Sequence, residues 1–328
     1  MAQSWQVSEQ RVFRRAVSNP LLTADDWPYP VNAVFNAAVA HDGEHTILLC
    51  RVEDFEGRSH LSVARSRDGL NGWTIDPEPL LFPSTDHPPE LWGVEDPRVT
   101  WVDELDRWVI AYTAYGPTGP AVALATTADF RGVERIGVVC PPDDKNAALL
   151  PRRVGEHFVL FHRPRTVVGG HADVWLSRST DLRSWLAPEP VFRARAGMWD
   201  SARIGMGPPP METPEGWLVV YHGVRHTVAG ELYRVGLALL DLDDPTKVVR
   251  RCPEWVLGPA TSYELQGDVP GVVFPCGWLH DPATDALRLY YGAADSTIAM
   301  AESSLSEVMH YLMAGAPRAG SPEGAEGS

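Results

Sequence analysis

Three segments of this chain share one pattern: VARSRDGLNGW (63–73), LATTADFRGVERI (124–136) and WLSRSTDLRSW (175–185). In each, apolar and small residues lead into a Ser/Thr-x-Asp turn, and LALLDLDDPTKVV (237–249) is a weaker fourth copy. The turn aspartates at 68, 129, 181 and 243 are 61, 52 and 62 residues apart. A period of about 50–60 residues with about four strands per unit is typical of propeller blades. Roughly 290 residues of strand-rich sequence hold five such units, so we predict an all-β, five-bladed β-propeller.

Short β-branched and aromatic runs bounded by turn residues recur along the chain and predict its strands. Clear examples are 45–52, 107–115, 121–127, 157–164, 172–179, 216–224, 233–242 and 287–294. A helical pattern is found only near 303–313, after the strands end. We therefore expect one catalytic propeller domain over 1–314 and a disordered Gly/Pro/Ser/Glu-rich tail over 315–328.

Composition limits the classes of partner. The chain has 328 residues, 28 Lys+Arg against 43 Asp+Glu and a net charge of −15, which disfavours nucleic-acid binding. No run of 18 apolar residues is present, so we expect no membrane span. A local arginine cluster can still bind a small anion despite the acidic balance.

The cysteines and the N-terminus indicate a cytoplasmic protein. Cys50, Cys140, Cys252 and Cys276 are far apart and read as free thiols in a reducing compartment. Residues 1–16 contain no apolar core long enough for a signal peptide. No closely spaced ligand pairs suggest zinc, so we expect neither a metal nor an organic cofactor.

The segment Gly93-Val-Glu-Asp-Pro-Arg98 has the strongest chemical signal. It places two carboxylates and an arginine beside the apolar run that starts at Val99. A carboxylic acid against apolar walls can have a raised pKa and donate a proton. The alternative is a solvated turn at an Asp-Pro break.

Basic residues at the ends of apolar strands form a second candidate group. Arg51 ends the strand ILLC, where it must be paired with Glu53 or Asp54 or line a cavity. Further basic candidates are Arg152, Arg153, His162, Arg163, Arg203 and His222. Together in one funnel, arginines would bind an oxyanion or phosphate bidentately; singly, each can be a rim salt bridge. Arg153 looks structural.

A third candidate is Tyr290-Tyr-Gly-Ala-Ala-Asp295. Here Asp295 could accept sugar hydroxyls while the ring of Tyr291 stacks on the sugar. A turn that closes a blade would explain the same residues.

In their order, these segments resemble glycoside hydrolase family 130, which contains β-mannoside phosphorylases and related β-mannosidases. The matching motifs are Asn36-Ala-Ala, Arg51-Val-Glu, Gly93-Val-Glu-Asp-Pro-Arg98, His162-Arg-Pro164, Arg203-Ile-Gly-Met-Gly-Pro-Pro-Pro210, Gly216-Trp-Leu-Val-Val-Tyr-His-Gly223 and Tyr291-Gly-Ala-Ala-Asp295. Any one motif is weak, but seven in order over roughly residues 18–310 are specific. The family fold is a five-bladed β-propeller.

The resemblance implies an inverting phosphorylase with Asp96 as its sole catalytic acid. Inorganic phosphate, the co-substrate, would attack C1 of a β-mannoside and give α-mannose 1-phosphate. The phosphate-binding positions correspond to Arg51, Arg163, Arg203 and His222, with Arg152 as a less certain addition. Asn36 and Asp295 correspond to positions that hold the mannosyl ring.

Two other functions remain open on the sequence. An inverting β-mannoside hydrolase would need a second carboxylate to activate water, for which Glu212 and Asp200 are the candidates. A non-catalytic sugar-binding propeller would keep Asn36 and Asp295 without needing Asp96. The linkage (β-1,2 or β-1,4), the acceptor sugar and the oligomeric state, a homo-oligomer included, stay undetermined.

Overall fold

In the computed structural model, which describes residues 12–165, 172–186 and 188–314, the strands form successive antiparallel sheets, each of them one propeller blade. A single parallel bridge between Ser59 and Gly93 joins the first two blades. The five-bladed β-propeller predicted from the repeat is confirmed. The predicted tail 315–328 lies outside the described residues.

The elements follow one another in blade order. Before the first blade come β1 (Arg14–Arg15) and a 3₁₀ turn (Ala24–Asp26). Blade 1 contains β2 (Ala33–His41), β3 (Thr46–Glu53), β4 (Ser59–Ser66) and β5 (Thr74–Ile75). After a 3₁₀ turn (Pro88–Glu90), blade 2 contains β6 (Gly93–Val102), a 3₁₀ turn (Asp103–Leu105), β7 (Arg107–Gly116), β8 (Gly119–Thr127) and β9 (Glu134–Cys140). Blade 3 contains β10 (Asp144–Leu149), β11 (Phe158–Pro164), β12 (Val174–Ser179) and β13 (Glu189–Phe192). Blade 4 contains β14 (Arg203–Met206), β15 (Met211–Thr213), β16 (Gly216–Thr227), β17 (Gly230–Leu240) and β18 (Val248–Arg251). After α1 (Ser262–Leu265), blade 5 contains β19 (Val273–Asp281), β20 (Ala286–Ala293) and β21 (Thr297–Ser304), and α2 (Leu305–Ala314) follows.

The continuous apolar runs arise because each blade is buried on both faces. Successive side chains of a strand point to opposite faces of the sheet. In β3, Ile47 and Leu49 pack toward blade 2, whereas Leu48 and Cys50 pack toward blade 5. A strand covered on both sides loses the polar alternation of a one-sided sheet.

The hydrophobic core is accordingly divided into five main clusters, one between each pair of neighbouring blades. Trp217, for example, is fully buried between blades 3 and 4. The inner strands β2, β6, β10, β14 and β19 are thereby held around a common axis. Polar side chains on these strands meet there.

The repeated aspartate turn has a common hydrogen-bond pattern. Asp68 Oδ1 accepts the backbone N–H groups of residues 70 and 71, and Asp181 Oδ1 accepts those of 183 and 184. These bonds lower the pKa of both carboxyls to about 2. In the fourth copy the prediction of Asp243 was wrong, because Asp241 Oδ1 accepts the N–H groups of 243 and 244. The turn therefore begins two residues earlier than the sequence alignment of the repeats suggested.

The ring closes through the N-terminal strand. β1 pairs with β21 at the outer edge of blade 5, with Arg15 opposite Ala301. The Arg15 guanidinium donates to both oxygens of the fully buried Glu264, at 2.7 and 2.6 Å. Glu264 also accepts the Tyr291 hydroxyl at 2.8 Å. This buried pair joins the first strand to the last blade.

The helix predicted near 303–313 is present as α2 and packs against blades 4 and 5. No helix among the described residues has the length and apolarity needed to cross a membrane.

Replacing Glu264 by alanine should destabilise the protein by about 3–5 kcal/mol, because the largely buried Arg15 charge then has no partner. The matched control is Glu307→Ala, since the Arg14–Glu307 pair also holds β1 but is 66% and 38% exposed. That control should cost about 0–1 kcal/mol. Denaturant unfolding measures the free energy of unfolding of both variants. Equal decreases would contradict the role of the buried pair in closing the ring of blades.

Candidate active site

A cavity of about 780 Å³ opens where the blades meet, and all five blades contribute to its wall. This volume suits a small-molecule site, for which about 300–1,000 Å³ is usual. Seven of the nine predicted site residues line it: Asn36, Arg51, Asp96, Arg163, Arg203, His222 and Asp295. Residues from distant parts of the sequence thus form one site.

Three cavity residues project from equivalent bulges on the inner strands of blades 1, 2 and 3. Asn36, Asp96 and Asn146 have φ angles of 48°, 48° and 58°, and each lies where the strand register shifts. Asn and Asp adopt this left-handed conformation more readily than most residues. A bulge redirects a side chain, and here it directs an amide or carboxylate into the funnel.

Asp96 is the central carboxylate of the site. Its Oδ1 accepts hydrogen bonds from Asn36 Nδ2 at 2.8 Å and from Arg51 Nη1 at 3.0 Å. Although burial alone would raise its pKa, the positive charges of Arg51 and Arg98 and the Asn36 bond lower it to about 2. In the unliganded protein Asp96 is therefore ionised at neutral pH.

Arg51 is already fully engaged by the protein. Besides Asp96, it donates from Nε to Ser59 Oγ at 2.8 Å, and Nη2 lies 3.3–3.4 Å from Glu53 and Glu95. Both alternatives for Arg51 are therefore met at once, because it lines the cavity and is also paired with Glu53. Its clearest role in this state is to orient Asp96.

Arg98 fixes the backbone of the bulge that carries Asp96. The fully buried guanidinium donates to the carbonyls of Asp96 at 2.7 Å, Met206 at 3.0 Å and Gly207 at 3.0 Å. Because the last two belong to blade 4, Arg98 also ties blade 2 across the axis. This residue of the Glu-Asp-Pro-Arg motif is structural.

Two arginines, from blades 3 and 4, lie near each other on the cavity wall. Arg203 is neutralised by Glu231, with Nη1–Oε1 at 2.7 Å, and also bonds the Tyr233 hydroxyl. Arg163 lacks a carboxylate partner among the described residues. Burial and the nearby Arg203 charge lower the pKa of Arg163 to about 10. A cation in this position favours an anion in the cavity.

His222 enters the site as a neutral ring and not as a cation. Burial and the charges of Arg163, Arg98 and Arg203 lower its pKa well below the usual value. Its Nε2 lies 3.4 Å from Asn146 Nδ2. His222 Nδ1 and Asn146 Oδ1 are both buried without a partner among the described groups. Unsatisfied buried polar atoms are costly, so both are available to a ligand.

A glycine makes this His–Asn contact possible. A Cβ atom at Gly205 would lie 2.6 Å from both Asn146 Nδ2 and His222 Cε1. Real Cβ contacts are longer, so the inner strand β14 has room for the two side chains only because residue 205 is glycine.

Two predicted site residues lie elsewhere, and these predictions are corrected here. Tyr291 is fully buried in the core between blades 4 and 5, and its hydroxyl donates to Glu264. Arg152 is on the surface, where it forms a bidentate pair with Glu212 at 2.6 and 2.7 Å. Neither lines the cavity.

The two carboxylates considered as water-activating bases are also outside the cavity. Glu212 is the partner of Arg152. Asp200 is fully buried and bonded to Arg195, Arg251 and Tyr221. Both are structural in this fold.

His162, one of the basic candidates, belongs to a closed buried network. It bonds Asp144 through Nδ1 at 2.5 Å and Ser177 through Nε2 at 2.9 Å. With Cys140, His162 and Asp144 form a group whose ligand-type atoms lie within 4.8 Å of one another. Both ring nitrogens of His162 are already used, so the network reads as structural. Arg153, as expected, pairs with Glu104 at the surface.

Sequence reasoning missed several cavity residues. They are Glu95, Tyr115, Asp143, Lys145, Asn146, Tyr233 and Phe274. The segment Asp143-Asp-Lys-Asn146 resembled an ordinary polar loop, and only the repetition of the bulge at Asn36 and Asp96 could have identified Asn146.

Comparisons with known proteins show what the whole chain is similar to. The model of glycoside hydrolase family 130, described as beta-1,4-mannooligosaccharide phosphorylase, matches residues 11–314. A Beta-1,2-mannobiose phosphorylase of Listeria innocua is 37% identical over 254 residues, which are 77% of this chain and 69% of that protein. A Beta-1,4-mannooligosaccharide phosphorylase of Ruminococcus albus is 35% identical over 92% of this chain and 91% of its own length. The structure of the Listeria innocua enzyme with beta-1,2-mannobiose superposes with a TM-score of 0.84 and 31% identity, and covers 92% of this chain and 99% of that one.

The His222 ring should stay neutral through the pH range, around 6.5, in which an unperturbed histidine titrates. Burial and three neighbouring arginines disfavour the imidazolium ion. Nuclear magnetic resonance of the ¹⁵N-labelled ring, assigned through His222→Gln, measures this in the free protein. A ¹⁵N chemical-shift change with its midpoint near pH 6.5 would show that the ring becomes protonated there, and would contradict this prediction.

Proposed function

Because this chain belongs to glycoside hydrolase family 130 and is an enzyme of its mannoside phosphorylase type, we propose that it cleaves a short β-mannoside with inorganic phosphate. The products are α-mannose 1-phosphate, formed with inversion, and the released acceptor sugar. The substrate class is a β-1,2- or β-1,4-linked mannobiose or mannooligosaccharide, as in the names of the relatives.

One observation carries the phosphorylase proposal: an arginine on the cavity wall has no carboxylate partner among the described residues. Arg163 has no carboxylate partner among the described residues and lies beside a second guanidinium, Arg203. Guanidinium groups bind phosphate through paired N–H donors. The unpartnered Nδ1 of His222 and the Asn146 amide line the same cavity and add neutral polar contacts. We assign phosphate to this side.

Asp96 is the acid in this proposal. It lines the same cavity as Arg163 but belongs to blade 2, and it delivers its proton to the glycosidic oxygen, directly or through a mannosyl hydroxyl. The free carboxyl is ionised because of Arg51 and Arg98. A phosphate dianion bound in the cavity offsets this positive charge and raises the pKa of Asp96, so the acid acquires its proton when the nucleophile is present.

The cavity charges favour phosphorolysis over hydrolysis. An inverting hydrolase needs a second carboxylate, about 6.5–9.5 Å from the acid, as a base for water. Glu212 and Asp200 are outside the cavity, and Glu95 and Asp143 on its wall are next to Arg51 and Arg165. Asp295 also lines the cavity, and this proposal assigns it to the mannosyl ring. Phosphate is already an anion and needs cations, not a base, to hold it.

The mannosyl ring is assigned to the part of the cavity that blades 5 and 1 line. Asn36 and Asp295 line the cavity beside Asp96, and Asn36 Oδ1 is buried without a hydrogen-bond donor among the described groups. A sugar hydroxyl supplies that donor. The proposed reaction uses phosphate as its co-substrate and no other cofactor.

We place the reaction in the cytoplasm. All four cysteines are free and buried. Such cysteines suit a reducing compartment. A sugar phosphate is also of use only where the cell can retain it.

Asp96→Asn should lower the rate of phosphorolysis of an unactivated β-mannobiose by about 10²–10⁴-fold, because the general acid is lost. The variant keeps the shape of the side chain and tolerates the left-handed backbone. A β-mannoside with a nitrophenol leaving group is the control substrate, since its departure needs little proton donation. A near-normal rate on the disaccharide would contradict the assignment.

Arg163→Ala should raise the KM for phosphate roughly 10- to 100-fold, because charge-assisted hydrogen bonds of about 1.5–3 kcal/mol are lost. Arg152→Ala is the matched control: it removes an arginine that lies outside the cavity and should leave this KM unchanged. Phosphate saturation curves at fixed β-mannobiose measure both. If the two variants behave alike, Arg163 does not bind the nucleophile.

A further inference from the structure

Three buried polar side chains in blade 3, which we call the blade 3 network, take no direct part in the proposed reaction. His162 bonds Asp144 Oδ2 through Nδ1 at 2.5 Å and Ser177 Oγ through Nε2 at 2.9 Å. The three side chains are at most 3% exposed, and none of them is among the described residues that line the cavity. Because both ring nitrogens of His162 are engaged, the network acts only through the strands that it joins.

The blade 3 network ties the start of β10 to the end of β11. Besides the bond from His162, the Asp144 carboxylate accepts the backbone N–H of Arg163 at Oδ1, at 3.1 Å. One carboxylate on β10 is thus bonded to two consecutive residues of β11. Hydrogen bonds to a carboxylate are among the stronger ones in proteins. Ser177, on β12, bonds the other nitrogen of the ring, so three neighbouring strands take part.

The same bonds span the strand bulge that presents Asn146. Between two ladder pairs, the register advances from residue 145 to 148 on β10 but only from 163 to 161 on β11. His162 is therefore the single residue opposite the bulge, and Asp144 lies two residues before Asn146. A bulge leaves a residue unpaired in the ladder, so other contacts have to hold its shape. The Asp144–His162 bond is such a contact, as the bond from Arg98 is for the bulge at Asp96.

The residues held in this way belong to the side of the cavity to which we assign phosphate. Arg163 and Asn146 line the cavity there, and Lys145, directly opposite Arg163 in the ladder, lines it with them. Lys145 follows Asp144 in the sequence, and Arg163 follows His162. A shift of either strand would therefore move a cation on the cavity wall. A misplacement of about 1 Å in a group that positions a substrate can cost about 100-fold in rate.

We propose that Asp144 and His162 are positioning residues for phosphate. Their hydrogen bond, completed by Ser177, holds the bulge of β10 and the end of β11 in the shape that directs Asn146 and Arg163 into the cavity. This inference rests on the proposed phosphorylase reaction and adds the part of the fold that shapes its phosphate site. It also gives a role to the histidine of the His-Arg-Pro motif, which lies outside the cavity wall.

Asp144→Ala removes both hydrogen bonds of the carboxylate and should raise the KM for phosphate about tenfold or more, while the KM for β-mannobiose changes less than about twofold. Saturation curves for each substrate, at a fixed concentration of the other, measure the two constants. A change of shape and a change of charge act with opposite signs here. Asp144 is a negative charge near Arg163, so its loss as a charge alone would favour the anion and lower the KM for phosphate. A lowered or unchanged KM for phosphate overturns the proposal.

Asp144→Asn is the conservative variant, which removes the charge and keeps the bonds. An asparagine amide has an acceptor oxygen for the Arg163 N–H and a donor for Nδ1 of His162, when the ring carries its proton on Nε2. That Nε2–H then donates to the Ser177 hydroxyl, so every bond of the network is retained. The KM for phosphate should therefore stay at or below the wild-type value. A rise as large as that in Asp144→Ala would overturn the proposal.

Glu90→Ala is the matched control for the loss of a buried carboxylate. Glu90 is 4% exposed and bonds the Tyr112 hydroxyl at 2.7 Å and Arg135 at 3.0 Å, and these three are not among the described residues that line the cavity. Thermal unfolding should show that Glu90→Ala and Asp144→Ala are both less stable than the wild type. Only Asp144→Ala should change the KM for phosphate. The same rise in Glu90→Ala would assign the effect to general loss of stability and overturn the proposal.

If Asp144→Ala does not fold, Ser177→Ala replaces it, because this variant removes only the outermost bond of the network. Its KM for phosphate should rise about two- to tenfold, the effect of one lost hydrogen bond. An unchanged KM would overturn the proposal. If Arg163→Ala raises the KM for phosphate but the variants of the network do not, this inference fails and the phosphorylase function stands. Cleavage by the wild type that does not depend on phosphate removes both.

Discussion

Burial of both faces of every blade is the constraint from which the rest of the structure follows. A single four-stranded sheet whose two faces are apolar cannot be stable in water, but five of them in a ring cover one another. The main apolar clusters lie between neighbouring blades, and the buried Arg15–Glu264 pair joins the first strand to the last blade. The inner strands then have one place for polar groups, which is the axis.

The ring of blades holds the charged residues at the axis in position through strand bulges and buried arginines. Arg98 binds three carbonyls and fixes the bulge from which Asp96 projects. Arg51 orients the Asp96 carboxylate and keeps its pKa low. Arg163, without a carboxylate partner among the described residues, makes the part of the cavity wall in blade 3 attractive to an anion. In the proposed reaction, acid and nucleophile therefore meet in one cavity, and the binding of phosphate changes the protonation of Asp96.

Much of the fold and several cavity residues could be predicted from the sequence, because they depend on local sequence patterns. The aspartate turns at 68, 129 and 181 indicate the repeat, and the ordered motifs identify Asp96, Arg163 and Arg203. The predictions that failed concern residues whose contacts are with residues far away in the sequence. Arg152 and Glu212 were each considered for the site, yet they pair with each other across 60 residues of sequence. Asn146 was missed because a register shift in a strand leaves no mark on its apolar pattern. The neutral state of His222 arises from its burial and from the charges of three arginines on other strands.

The central claim is that phosphate, not water, attacks the mannoside. The most direct measurement is product analysis on β-1,2- and β-1,4-mannobiose with the wild-type protein, in the presence and absence of inorganic phosphate. The charge distribution at the axis predicts α-mannose 1-phosphate, formed only when phosphate is present, and the consumed disaccharide identifies the linkage. Free mannose released at the same rate in both mixtures would contradict this account.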